Sequence, residues 1–131
     1  MLFVGLAVTT AHAENKFTVK CKLHTEQTVS NNDGSSRRIA TSTIIRTLTI
    51  DLDQKQYYVV EDGWSARDIP EITATEIILD QIKFGNDASR FAKIDRVTNL
   101  YTAGVQSGRW MLSELGPCAK VQTELPPPAR F

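Results

Sequence analysis

From Lys16 to Leu23 the chain alternates strictly: Phe17, Val19, Cys21 and Leu23 are apolar, and Lys16, Thr18, Lys20 and Lys22 are polar between them. A period of two puts one set on each face of an extended segment, so this run predicts a half-buried strand with a basic outer face. The same pattern recurs along most of the chain. Ile39 to Leu52 is rich in Thr and Ile, and Leu48, Ile50 and Leu52 alternate cleanly. The adjacent Ile44 and Ile45 predict a bulge or a strand buried on both faces. Tyr57-Tyr58-Val59-Val60 has strong β propensity. Ile72 to Leu79 fits a strand or a short helix, because its apolar spacing does not decide between the two periods. Phe91–Arg96, Leu100–Val105 and Arg109–Leu115 complete the series, with a last short strand over Cys118–Val121 after a break at Gly116-Pro117.

Turn chemistry separates these runs. Ser30-Asn31-Asn32-Asp33-Gly34-Ser35-Ser36 is a polar turn cluster, and residues 51–57 form a hairpin corner. Glu61 to Asp68 is a polar loop carrying Trp64, and Pro70 fits poorly inside a central strand. Val97-Thr98-Asn99 is a tight connection in which Asn99 tolerates the left-handed conformation. The expected fold is therefore all-β: a small antiparallel meander of seven or eight short strands. A sheet of that size curls, and closing it removes its edges. A closed or partly open β-barrel is favoured over a sandwich.

The chain divides into three parts. Residues 1–13 read as a signal peptide, with an apolar run over Leu2–Val8 and a small-x-small site at Ala11-His12-Ala13. No Lys or Arg precedes the run, as in a signal peptide truncated at its start. Residues 14–122 read as a single β domain, and 123–131 as a Pro-rich tail. No other run approaches the roughly 20 apolar residues that span a bilayer. An exported chain with two isolated cysteines, Cys21 and Cys118, is expected to join them in one disulfide near its termini. The competing readings are a redox pair or metal ligands. The pair has no Cys-x-x-Cys spacing, and His24 is the only histidine after residue 13.

Charge narrows the function classes. Fifteen basic and fifteen acidic residues balance. A general nucleic-acid binder needs an excess of cations to displace counterions, so no nucleic-acid partner is expected. The balance is uneven along the chain: residues 51–80 carry eight acidic and two basic groups, and both flanks are net basic. The acidic segment either neutralises its flanks in the fold or forms a patch for a basic partner.

Catalytic patterns are weak. A Ser-His-Asp arrangement would have to use His24. Gly63-Trp64-Ser65-Ala66-Arg67 lacks the second glycine of a nucleophile elbow. Asn31-Asn32-Asp33-Gly34 lacks the downstream glutamate of a calcium loop. Asp51 with Asp53, or Glu61 with Asp62, supplies paired carboxylates, but local spacing does not create the cleft that sugar hydrolysis needs. No catalytic residue, metal site or cofactor is assigned. The expected contact site is the loop from Glu61 to Asp68: Trp64 with Glu61, Asp62, Arg67 and the nearby Tyr58, since an exposed Trp anchors partners. Trp110 is expected in the core. Of Tyr57, Tyr58 and Tyr101, at least one should face solvent or a cavity.

The early Cys21, the Thr49-Ile50-Asp51-Leu52-Asp53 corner, Ile94-Asp95-Arg96-Val97-Thr98-Asn99-Leu100-Tyr101 and the late Gly116-Pro117-Cys118 carry a resemblance. The chain resembles the uncharacterised small exported, periplasmic β proteins of Gram-negative bacteria, which usually have Gly where Asn99 stands. The likeness covers most of residues 14–122 and implies a periplasmic or secreted address and no activity. Small periplasmic lysozyme-inhibitor barrels are similar in size and terminal disulfide, but their Ser-Gly-x-x-Tyr type loop is missing here. The functional expectation is a non-enzymatic periplasmic binding or protein-interaction module for a small apolar ligand or a protein. The alternatives are a carboxylate-based hydrolase of envelope sugars and a structural envelope protein.

Overall fold

The computed structural model describes residues 15–122. The signal-peptide and tail assignments lie outside these residues. Nine antiparallel strands form one curled half-barrel sheet. They are β1 (Lys16–Ser30), β2 (Ser36–Asp51), β3 (Gln56–Val59), β4 (Ser65–Asp68), β5 (Glu71–Ile72), β6 (Glu76–Lys83), β7 (Ala88–Asp95), β8 (Leu100–Ser107) and β9 (Trp110–Val121). Their order is β4-β3-β2-β1-β9-β8-β7-β6-β5. Every neighbouring pair but one is adjacent in sequence, as a meander requires. The exception is β1 with β9, which joins two smaller meanders, β1–β4 and β5–β9. Among the described residues no helix is long and apolar enough to cross a membrane.

Alternation sets which side chains face inward. Val19, Cys21 and Leu23 of β1 meet Leu48 and Ile50 of β2, Tyr57 and Val59 of β3, Ile77 and Leu79 of β6, Ala92 and Ile94 of β7, and Tyr101 and Ala103 of β8 in one buried cluster. Lys16, Lys20 and Lys22 face solvent on the convex side, as the period of two dictates. Cys21 and Cys118 are register partners across β1 and β9 and are bonded, closing 97 residues of separation. Asn99 takes φ 61° at the β7–β8 turn, where Asp95 accepts the Val97 and Thr98 amides at 2.8 and 3.0 Å.

Several local expectations differ from the structure. The strand count is nine because β4 and β5 flank Ile69-Pro70, where only a loop was expected over Glu61–Asp68. That loop is a 3-10 turn at Val60–Asp62 followed by β4. Ile72–Leu79 is not one element: β5 ends at Ile72, and the Thr73 hydroxyl takes the Thr75 and Glu76 amides to turn the chain into β6. No bulge lies at Ile44–Ile45. Ile44 is half-buried on the concave side and Ile45 is exposed on the convex side, whereas the register of the β1–β2 ladder shifts at Gln27/Thr28. Trp110 is only half-buried, with Nε1 donating to Gln27 Oε1 at 3.4 Å.

Gly116-Pro117 does not break the last strand. The β1–β9 ladder lapses where Lys22 and Leu23 pass Gly116 and Pro117, and it resumes in the same register on either side. Cys118 donates its amide toward β8, to Asn99, so strand alternation turns the missing N–H of Pro117 toward β1. The lapse is therefore where a proline costs no ladder bond. It also brings the two backbones together: a Cβ on Gly116 would lie 1.9 Å from the Lys22 carbonyl oxygen. Gly116→Ala should destabilise the fold by about 3 kcal/mol or more, because a backbone must move to admit the methyl. Replacing both cysteines by alanine should cost about 2–4 kcal/mol by releasing a long loop in the unfolded chain. Urea unfolding checks both, and a midpoint unchanged in either variant contradicts this account of the seam.

Candidate ligand cavity

The inward faces do not fill the half-barrel. Ala92 and Ala103 are register partners on β7 and β8, and two methyls stand where the opposite wall presents Leu48 and Ile44. The deficit leaves a cavity of about 330 Å³. Its floor is apolar, built from Leu48, Val59, Leu79, Ala92 and Ala103 with the rings of Tyr57 and Tyr101. Its mouth is charged: Arg46, Arg67 and Arg90 stand among Glu61, Asp62, Asp80 and Glu114.

Each of these charges has a partner. Arg46 grips Glu114 with two bonds, Nη1 to Oε1 at 2.5 Å and Nη2 to Oε2 at 3.1 Å, and donates from Nη1 to Tyr101 Oη at 3.0 Å. The two side chains are 26% and 12% exposed, so this pair is largely withdrawn from water. Burial opposes the guanidinium's charge, but Glu114 and Tyr101 outweigh it and hold Arg46 firmly protonated. Arg67 pairs with Asp62, and Arg90 with Asp80. Glu61 is the exception to cationic pairing: its Oε1 accepts the Thr47 amide at 2.7 Å. Burial pushes the Glu61 carboxyl up, but the Thr47 bonds and the Arg46 charge hold it below its ordinary value.

The two tyrosines serve the cavity differently. Tyr57 donates to the Leu79 carbonyl at 3.2 Å, tying β3 to β6 across the open side of the sheet. Burial pushes its phenol up, and Arg67 pulls it back. Tyr101 is more deeply buried, which raises its phenol against the pull of Arg46. Its oxygen accepts from Arg46, and its own proton is donated to no described residue. The shift of the β6–β7 register between Ile78 and Asp80 sends both Leu79 and Asp80 to the cavity. A second hollow, about 560 Å³, shares Tyr57, Arg67, Leu79, Asp80 and Arg90 with the cavity and opens it sideways between β4 and β6.

Of the expected contact residues, Glu61, Asp62 and Arg67 come together at the mouth. Trp64 and Tyr58 do not line it. Trp64 is half-buried at φ 63°, directly after Gly63 at φ 74°. Tyr58 alternates with the inward Tyr57 and Val59 and lies on the other face of β3. Asp51 accepts the Gln54 amide at 3.0 Å, and Asp53 accepts from Asn15 Nδ2 at 3.1 Å, so this carboxylate pair builds a corner away from the cavity. Among the described residues no group of three or more His, Cys, Asp and Glu is placed to hold a metal ion.

Tyr57 and Tyr101 line the cavity, as expected of at least one of the three tyrosines, whereas Arg46, Glu114, Asp80 and Arg90 were not singled out by sequence. Arg46 carried a usable signal: it falls on the inward parity of β2, between Ile44 and Leu48. Glu114 does the same on β9. No protein-family model, curated protein or solved structure matches the chain.

Two results should follow from these pairings. Glu114→Leu alone should cost about 3 kcal/mol by stranding a largely buried guanidinium, and Arg46→Met with Glu114→Leu should recover most of the loss. A double variant as unstable as the single one contradicts this reading of the pair. Because folding lowers the Glu61 pKa, its contribution is complete above the ordinary value of 4.5 and is lost as pH falls through the lower folded value. Glu61→Gln should therefore lose less stability than the parent protein as pH is lowered from about 5 to 3 in urea titrations.

Proposed function

We propose that this protein is a non-enzymatic binding module that works outside the cytoplasm and holds a small ligand in the cavity of its half-barrel. The observation that carries this reading is the combination of an apolar floor with a mouth whose charges are neutralised among themselves. Recognition at such a site comes from burial of apolar surface, with few polar contacts to orient the ligand. The Tyr101 hydroxyl, whose proton goes to no described residue, supports one such contact. The ligand class is therefore a molecule with an apolar body and one hydrogen-bond acceptor, such as a carbonyl or carboxylate oxygen.

The Cys21–Cys118 bridge supports an oxidising compartment, in keeping with the export signal read over residues 1–13. Hydrolysis by paired carboxylates has less support. Every cavity carboxylate already serves a cation or an amide, and the Glu61 carboxyl is held below its ordinary value rather than raised as a general acid would be.

Fluorescence titration with N-phenyl-1-naphthylamine, an uncharged apolar probe, tests the reading. The parent protein should bind it at one site with a blue-shifted emission. Ala103→Trp, which fills the cavity from its floor, should weaken binding at least tenfold while leaving the unfolding midpoint close to the parent value. No binding by the parent, or equal binding by the filled variant, would remove the cavity from consideration.

A further inference from the structure

The longest strand of the sheet is paired on one side only over most of its length. β2 runs from Ser36 to Asp51, but β3 meets it only from Leu48 to Asp51. The Glu61 carboxylate takes the Thr47 amide, standing in for the strand that is no longer there. Above Thr47 nothing among the described residues continues the ladder, and Ser36 to Thr43 are all exposed. The direction of the Thr47 amide fixes the parity of the rest. In an antiparallel ladder alternate residues point their N–H and C=O to opposite sides. The main-chain groups of Ser42, Ile44 and Arg46 therefore face β1, and those of Thr41, Thr43 and Ile45 face outward.

A long bare edge of Ile and Thr is a template for another strand. We propose that the β2 edge from Ser36 to Arg46 takes an extended acidic segment of a partner protein as an added antiparallel strand. Charge selects the partner. Residues 16–47 carry six basic and two acidic side chains; Arg46 is held by Glu114 and Arg38 meets Glu26, which leaves Lys16, Lys20, Lys22 and Arg37 without an ion pair among the described residues. Arg37 and Arg38 lie on the edge strand itself. Lys20 and Lys22 stand on the neighbouring strand and make no ion pair with any described residue. Two copies meeting edge to edge would bring this excess against itself, whereas an acidic strand neutralises it. The pleat supplies the second half of the code. Residues of the added strand would point alternately to the convex side, toward Arg38 and Lys22, and to the concave side, beside Ile44 at the cavity. The segment is therefore acidic and apolar in alternation. This holds whatever the cavity itself contains.

The test uses the full chain and two blocked octapeptides, one alternating glutamate with valine and the other lysine with valine. Amide exchange and titration by NMR should show the acidic peptide bound at least tenfold more tightly, with the amides of Thr41, Thr43 and Ile45 newly protected. Thr43→Pro deletes an amide that no described group accepts, at an edge position where proline is tolerated, and should abolish binding while leaving the fold intact. Arg37→Glu with Arg38→Glu should reverse the peptide preference without touching the backbone. Absent binding, equal affinity for both peptides, or binding that survives Thr43→Pro would overturn the proposal. So would a concentration-dependent dimer that protects the same three amides, which would make a second copy the occupant.

Discussion

The pairing of β1 with β9 is the contact on which the rest of the sheet depends. Every other ladder is a local hairpin, and such hairpins alone would leave two meanders joined by the Ile69-Pro70 link. The β1–β9 ladder joins them into one curved surface and brings Cys21 against Cys118. It is also the ladder with the largest sequence separation, so it has the greatest loop-closure entropy to overcome. The bridge between these strands offsets part of that cost in the unfolded chain. Gly116 and Pro117 fit this seam for opposite reasons: one lacks a side chain where the backbones crowd, and the other lacks an amide where the ladder lapses.

The open side of the half-barrel follows from unequal strand lengths. β1 and β2 have 15 and 16 residues, whereas β3, β4 and β5 have four, four and two. Short strands cannot cover long neighbours, so the wall ends partway up β2 and partway along β6. Tyr57, reaching from β3 to the Leu79 carbonyl, spans the gap at its lower end. Above it the cavity meets solvent, and the three arginines of the mouth neutralise carboxylates there. The cavity and the bare β2 edge are two consequences of the same mismatch in length.

Much of this was legible in the sequence. The period of two in Phe17–Leu23 and Leu48–Leu52 assigned the inward faces correctly, the polar clusters placed the hairpins, and Asn99 adopts the left-handed conformation expected of it. Two isolated cysteines imply a pair, and Cys21 and Cys118 are bonded. The acidic middle is partly neutralised by its flanks, through Asp80 with Arg90 and Glu76 with Lys93. What was not legible depends on neighbours. Pro117 sits inside a strand only because β1 withdraws its ladder there. Arg46 finds Glu114 across 68 positions of sequence, and no local pattern encodes that meeting. The bare edge of β2 reflects where β3 stops, which the residues of β2 do not record.

Hydrogen exchange along β2 of the isolated protein, resolved residue by residue by NMR, tests most directly whether the wall is open. An open half-barrel requires alternation: slow exchange at Ser42, Ile44 and Arg46, whose amides face β1, and fast exchange at Thr41, Thr43 and Ile45, with Thr47 slowed by Glu61. Uniformly slow exchange from Thr41 to Thr47 in a monomer would mean that a further strand covers this edge, and the half-barrel described here would be closed.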